Sequence, residues 1–227
     1  MCYICCMKKL IRKELLLLPL AASILTIFAS CKENYSLINK DLSTEQIQAK
    51  IVLPEYKKYP ELNKAISDFI DEDFSQYKSQ CESFWESGSH YPYSYRTEFQ
   101  DKSNSYYINA FVTKFIFAGI SLEDEYFFTF VYNKKTKKLE TLESVTGKSL
   151  SEIGKICAKD IKIQVFNETG EKTIPFVDDW IETGTAPREM NYASWTADKD
   201  KVTIYFPTGQ VLSNYFGSRK VEIPLKN

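Results

Sequence analysis

The chain has 227 residues, of which 44% are hydrophobic and 26% are charged, and its formal net charge is -1. This composition excludes a disordered chain, because enough apolar side chains are present to bury a core. The near-zero charge argues against nucleic acid as the main partner, since phosphate binding calls for a basic face.

The N-terminus predicts export. Basic residues between Lys8 and Lys13 precede an apolar run from Leu15 to Ala29, which is short for a membrane span and typical of a signal peptide. We therefore predict a signal peptide over residues 1–30, and Met7 offers a more ordinary start for it than Met1. The alternative is an uncleaved membrane anchor.

Cys31 ends this run in the sequence Phe28-Ala29-Ser30-Cys31, which resembles a bacterial lipobox. The resemblance implies a diacylated (palmitate-type) Cys31 as the mature N-terminus and an extracytoplasmic, lipid-anchored protein of the cell envelope. Three further cysteines precede the run, at Cys2, Cys5 and Cys6, but no matching ligand set follows, so we predict no metal site.

Residues 31–50 are polar and without period, which predicts a tether between the membrane and a folded domain over residues 51–227. A helix follows from Tyr59-Pro60. Its apolar residues recur at helical spacing and predict an amphipathic cover for a sheet: Leu62, Ile66, Phe69, Ile70, Phe74 and Tyr77. We interpret the acidic run Asp71 to Asp73 as a solvated face.

A long aromatic β-hairpin is predicted next, with strands at residues 106–117 and 125–132. Both faces of the first strand are largely apolar, which predicts a place at the centre of a sheet. The hairpin and the preceding helix form the first part of the domain, residues 51–142. The fold class is thus α+β: an antiparallel sheet covered by two or three amphipathic helices.

The second part, residues 145–227, begins with a capping box. Ser149 and Glu152 open a helix whose apolar stripe includes Ile153, Cys157 and Ile161. A short helix at residues 175–183 and three strands at residues 192–196, 202–206 and 220–225 are predicted after it.

Cys81 and Cys157 are the cysteines of the predicted exported domain, and an oxidising compartment permits a disulfide between them. Such a bond would close a long loop and contribute about 3 to 5 kcal/mol. The alternative is that Cys157 is a buried apolar residue of the helix stripe.

No catalytic motif is evident, so we predict no catalytic residue and no cofactor. His90 is the single histidine and has no nucleophile motif to serve. The adjacent carboxylates Asp178 and Asp179 are typical of a helix start, where they favour the helix dipole.

A binding site is predicted instead in the loop of residues 207–216 and at Tyr205. The loop joins two strands, so a rigid scaffold presents it to solvent. Asn214 and Tyr215 offer a hydrogen bond and an aromatic anchor, a pairing that suits recognition. The alternative is that Tyr215 packs under the loop.

The order of these elements resembles the RsiV/PdaC family of extracytoplasmic domains. The residues that carry the resemblance are the Tyr59-Pro60 helix start, the Asn133 to Leu139 turn, the strand Val202 to Phe206, Gly217, and Val221 to Pro224. The resemblance implies a non-catalytic binding module for a lysozyme-type muramidase or a peptidoglycan-related ligand. Two alternatives stay open: an enzyme acting on envelope glycans through His90, Asp178 or Asp179, and a structural lipoprotein of a larger assembly.

Overall fold

The computed structural model describes residues 35–86, 88, 93–118, 123–171 and 174–225. The predicted signal peptide, Cys31 and His90 lie outside the described residues. Within these ranges the chain is an α+β fold with a six-stranded sheet, a three-stranded sheet and four α-helices. The predicted fold class is confirmed.

The six-stranded sheet follows the chain order from one edge to the other. Its strands are β1 Tyr35–Asp41, β2 Ile47–Tyr56, β3 Tyr93–Asp101, β4 Tyr107–Phe117, β5 Asp124–Asn133 and β6 Lys138–Leu139. Neighbours are antiparallel except β2 and β3, which are parallel because a helix crosses over between them. The predicted hairpin is β4–β5, with β4 inside the sheet and β5 paired on its outer side with the two-residue β6.

The tether predicted for residues 31–50 is wrong from Tyr35 onward, because β1 and the start of β2 occupy it. β1 pairs with β2 from Tyr35 opposite Tyr56 to Asp41 opposite Lys50. Its side chains are mostly exposed, so backbone pairing rather than an apolar face holds this edge strand. The Tyr35 ring packs against Phe99, with centroids 5.1 Å apart.

The helix between the parallel strands is α1, Pro60–Glu86, and it covers one face of the large sheet. Its predicted amphipathic stripe is confirmed except at Phe69, which is 38% exposed. The helix also runs further than predicted and includes Cys81. The buried stripe packs on β2, β3 and β4 and forms the first hydrophobic core.

A second core lies around the three-stranded antiparallel sheet. Its strands are β7 Trp195–Ala197, β8 Lys201–Phe206 and β9 Arg219–Pro224, and its helices are α2 Leu142–Thr146, α3 Leu150–Thr169 and α4 Val177–Gly184. Short 3-10 helices span Glu189–Tyr192 and Asn214–Phe216. The predicted capping box is confirmed, with the Ser149 N–H donating to Glu152 at 2.9 Å. None of the helices in the described ranges has the length and apolar character needed to cross a bilayer.

Two polar side chains of the hairpin hold the two sheets together. Asn109 is fully buried; its Nδ2 donates to the Ala197 carbonyl at 3.0 Å and its Oδ1 accepts from the Ala197 N–H at 2.9 Å. Thr129 Oγ1 donates to the Trp195 carbonyl at 2.6 Å and accepts from its N–H at 2.7 Å. Side chains of β4 and β5 therefore attach β7 to the hairpin through hydrogen bonds to its backbone.

The predicted disulfide does not form in this structure. Cys81 and Cys157 are both free and buried, Cys81 in the first core and Cys157 in the second. Cys157 instead fits the alternative interpretation, in which it is a buried apolar residue on the stripe of α3. Burial raises the pKa of the Cys157 thiol to about 12, so it stays protonated at neutral pH.

Candidate functional site

A cleft of ≈ 830 Å³ opens between the two cores. Phe69 and Asp73 of α1 form one side, and β5 contributes the five consecutive residues Asp124–Phe128. The far wall comes from Trp180 of α4, the 3-10 segment Glu189–Asn191 and the loop after β8. Both halves of the chain therefore build this site.

Aromatic side chains line the side of the cleft next to α1. The rings of Phe69 and Phe128 meet edge to face, with centroids 4.8 Å apart. Tyr126 lies two residues earlier on the same face of β5, and Trp180 stands across the cleft and is 40% exposed. Because these apolar surfaces stay open to solvent, they are available to a ligand.

A buried ion pair sits at the base of this aromatic wall. Lys114 of β4 is 8% exposed, and its Nζ lies 2.9 Å from both carboxylate oxygens of Asp73. Tyr95 donates its hydroxyl to Asp73 at 2.7 Å. Burial and the Asp73 charge raise the pKa of Tyr95, so the phenol remains a neutral donor.

Two rings complete the surroundings of the ammonium group. Lys114 Nζ lies 4.8 Å from the centroid of Tyr126 and 5.1 Å from that of Phe128. Each charge of the pair has a partner, which a buried ion pair needs. The cluster thus fixes the aromatic wall, and its charges are already used internally.

The rest of the cleft is acidic. Asp124, Glu125 and Glu189 add three carboxylates, and Lys114, already paired with Asp73, is the single cation among the described lining residues. Burial, and then the charge of nearby Glu98, raises the pKa of the Glu125 carboxyl. A positive group bound near Glu125 would offset the repulsion between Glu125 and Glu98. The cleft therefore suits a cationic, partly apolar ligand.

The loop predicted to bind a ligand forms the rim of the cleft. Asn214 lines it together with Pro207, Thr208, Gly209 and Gln210. Gly209 has φ +85, and a Cβ there would lie 2.7 Å from Asn214 Oδ1. Both the backbone conformation and the space therefore favour glycine at this turn.

The other two predicted binding residues lie outside the cleft lining. Tyr215 is 92% exposed, so it does not pack under the loop. Tyr205 instead packs against Phe111, with centroids 5.2 Å apart, and its hydroxyl lies 3.2 Å from Thr196 Oγ1. A binding role for Tyr205 and Tyr215 stays a prediction.

A family model described as "Protein of unknown function (DUF3298)" matches residues 35–226. The chain belongs to the DUF3298 family. No curated protein matches it significantly.

Solved structures of the DUF3298 family share this fold. One is a family member from Bacteroides fragilis, with a TM-score of 0.55 and 10% identity, covering 85% of this chain and 90% of the other. Another, from Pseudomonas aeruginosa, has a TM-score of 0.57 and 13% identity, covering 85% of this chain and 89% of the other. At these identities the likeness concerns the fold alone.

The carboxylates considered for catalysis lie away from the cleft of this DUF3298 chain. Asp178 is exposed on α4 and pairs with Lys162 of α3 at 2.8 Å, and Asp179 is exposed beside it. Within the described part of the chain, no group of three or more His, Cys, Asp or Glu side chains is placed to hold a metal ion.

Sequence reasoning missed the Lys114–Asp73 ion pair and the hydrogen bonds made by Gln210. A lysine within the apolar face of a central strand was the available signal, because such a charge needs a partner. Gln210 Nε2 donates to the carbonyls of Gly184 at 3.1 Å and Asn191 at 2.9 Å. It thereby ties the loop to α4 and the 3-10 segment, a long-range contact without a local pattern.

Proposed function

We propose that this DUF3298 protein is a non-catalytic binding module of the bacterial cell envelope and that the cleft is its binding site. The observation that carries the proposal is an open, aromatic and acidic cleft built jointly by the two cores. Ligand sites commonly combine apolar walls with a few placed polar groups at such junctions.

Binding rather than catalysis is supported by how the polar groups of the cleft are used. Asp73 accepts from Lys114 and Tyr95, and Lys114 is enclosed by the rings of Tyr126 and Phe128. These groups position the wall. The remaining carboxylates at Asp124, Glu125 and Glu189 provide charge to attract a positive partner.

The resemblance to RsiV/PdaC-type domains supports a lysozyme-type muramidase as the ligand, with a peptidoglycan-related ligand as the alternative. A muramidase with a basic surface would complement the acidic cleft. The Asn214 loop and exposed Tyr215 would extend the contact beyond the cleft.

The test of this proposal is binding of a lysozyme-type muramidase to the full chain in detergent, measured by calorimetry. Trp180→Ala removes an aromatic wall of the cleft and should weaken binding at least tenfold. Phe166→Ala on α3 is the matched control, because Phe166 is 42% exposed and Trp180 40%. Equal affinities for both variants would place the site elsewhere; no binding by the wild type would exclude the muramidase.

Lipid attachment at Cys31 is the second part of the proposal, supported by the Phe28 to Cys31 sequence. Acyl chains at this position would hold the module at a membrane surface. Labelled palmitate should enter the wild-type chain in cells and should not enter Cys31→Ser. Equal labelling of the two would contradict lipidation.

A further inference from the structure

The outer edge of β5 is covered along only part of its length. β6 pairs with Tyr132 and Asn133, and the Glu140 N–H donates to the Val131 carbonyl at 2.8 Å. The Ala193 carbonyl accepts from the Thr129 N–H at 3.0 Å. Within the described residues, no strand pairs with this edge at Asp124–Phe128, where it lines the cleft.

The direction of the backbone groups along this edge follows from the pairing. The β4–β5 register is continuous from Tyr107 opposite Asn133 to Ile116 opposite Asp124, so no bulge shifts the alternation. Thr129 and Val131 both bond away from β4. Since this direction alternates along a strand, Phe127 and Glu125 also point their N–H and C=O groups outward, into the cleft.

The side chains along this edge also alternate between two kinds of surroundings. Tyr126 and Phe128 lie on the α1 side, beside Phe69 and the Lys114–Asp73 pair. Glu125 lies on the opposite side of the strand, opposite Phe115 of β4. Phe127 shares the Glu125 face, where its ring packs against Phe111, and Asp124 shares the α1 face. An added strand would therefore meet the exposed aromatic surface on the α1 face and the Glu125 carboxylate on the other face.

We propose that the cleft binds an extended peptide segment of its protein partner, which adds to the sheet as a strand along Glu125 and Phe127. Alternate apolar side chains of the segment contact Tyr126, Phe128 and Phe69, and basic side chains on its other face meet Glu125. This rests on the proposed function of the cleft as a binding site. Strand addition takes affinity from main-chain hydrogen bonds and specificity from such alternating contacts.

A seven-residue peptide of alternating valine and lysine, capped at both ends and labelled with a fluorophore, is a suitable probe for anisotropy with the full chain in detergent. It should bind, and a peptide with glutamate in place of lysine should bind at least tenfold more weakly. The valine–lysine peptide with alternate amides N-methylated should also bind at least tenfold more weakly, because it loses backbone donors.

Two substitutions at one position separate the backbone from the side chain. Glu125→Ala removes the carboxylate and keeps the outward N–H, whereas Glu125→Pro also removes the N–H. Proline is tolerated at a free strand edge, so both variants should melt at similar temperatures. Glu125→Pro should bind the peptide at least fivefold more weakly than Glu125→Ala.

Tyr126→Pro checks the direction of the backbone groups. Its N–H points to β4, so this variant should melt well below Glu125→Pro. A Glu125→Pro that melts as low as Tyr126→Pro would contradict the outward direction at Glu125 and overturn the proposal.

The outcomes distinguish this inference from the proposed function. One outcome is that Trp180→Ala weakens muramidase binding while the Glu125→Pro and Glu125→Ala variants have equal affinity for each ligand. In that case the cleft is a binding site and strand addition is wrong. If Trp180→Ala changes neither ligand while Glu125→Pro still weakens the peptide, strand addition stands and the muramidase contact lies elsewhere. No measurable binding of the valine–lysine peptide overturns the inference.

Discussion

The two ends of β5 differ although they belong to one continuous strand. The end at Thr129–Asn133 is closed: β6, Glu140 and Ala193 bond its outer edge, and Val131 and Tyr132 are buried. The end at Asp124–Phe128 is open and lines the cleft, with Tyr126 39% exposed. Both ends of β5 are rich in aromatic residues, but these pack in the core at one end and form an accessible surface at the other.

Neighbouring elements, and not the strand itself, decide where this sheet edge stays open. An unpaired edge with exposed aromatic groups invites pairing with other chains, and proteins usually protect it. Here the acidic side chains Asp124 and Glu125 stand along that edge. Their charge disfavours self-association of this edge with a second copy and selects for a basic partner.

The largest effect on stability is expected at the closed end. Asn109→Leu keeps the side-chain size but removes the acceptor of the buried Ala197 N–H, while the Ala197 carbonyl keeps its bond from Asn104 Nδ2 at 2.7 Å. The free energy of unfolding in urea should fall by about 3 kcal/mol. Asn39→Leu, on the exposed strand β1, is the control and should change it by less than about 0.5 kcal/mol. Equal losses would contradict the joining role of Asn109.

At the open end, Lys114→Met should lower the free energy of unfolding by about 2 kcal/mol, because it leaves Asp73 without its cation. The two side chains are 11% and 22% exposed, so some water compensates for the loss. Lys64→Met is the matched control, since its pair with Asp68 is 75% and 62% exposed. Its loss should be below about 1 kcal/mol. A smaller loss for Lys114→Met than for Lys64→Met would contradict a structural role for the buried pair.

Local patterns predicted the hairpin, the α1 stripe and the Ser149 capping box, because each is encoded by neighbouring residues. The sequence did not reveal β1, since an exposed edge strand such as Tyr35–Asp41 needs no apolar alternation. It also did not pair Lys114 with Asp73, which are 41 positions apart. The cleft depends on such long-range contacts, so only its Asn214 rim was anticipated.

The pH dependence of stability at the open end should change with Glu125→Gln. Burial and the charge of Glu98 raise the pKa of Glu125 in the folded state, so the unfolded chain loses this proton first as the pH rises. The carboxyl therefore costs stability above its ordinary pKa, and the cost vanishes below it. Glu125→Gln should melt above the wild type at pH 7, and the two should coincide near about pH 3.

The control for this measurement is Glu55→Gln, which removes an exposed carboxyl on β2. It should change the melting temperature at pH 7 little, because an exposed side chain away from special features contributes little to stability. A Glu125→Gln variant that melts with the wild type at pH 7 would contradict a raised pKa at this position.

The smallest effect on stability is expected for Tyr215→Ala, at the rim beyond the open end. Tyr215 is 92% exposed, so its removal should change the free energy of unfolding by less than about 0.5 kcal/mol. If a muramidase contacts the rim, Tyr215→Ala should weaken its binding by about 2 kcal/mol, because an aromatic anchor of the interface is removed. The valine–lysine peptide, confined to the cleft, should bind unchanged. A drop in melting temperature would instead give Tyr215 a packing role, and equal loss for both ligands would contradict the separation of rim and cleft.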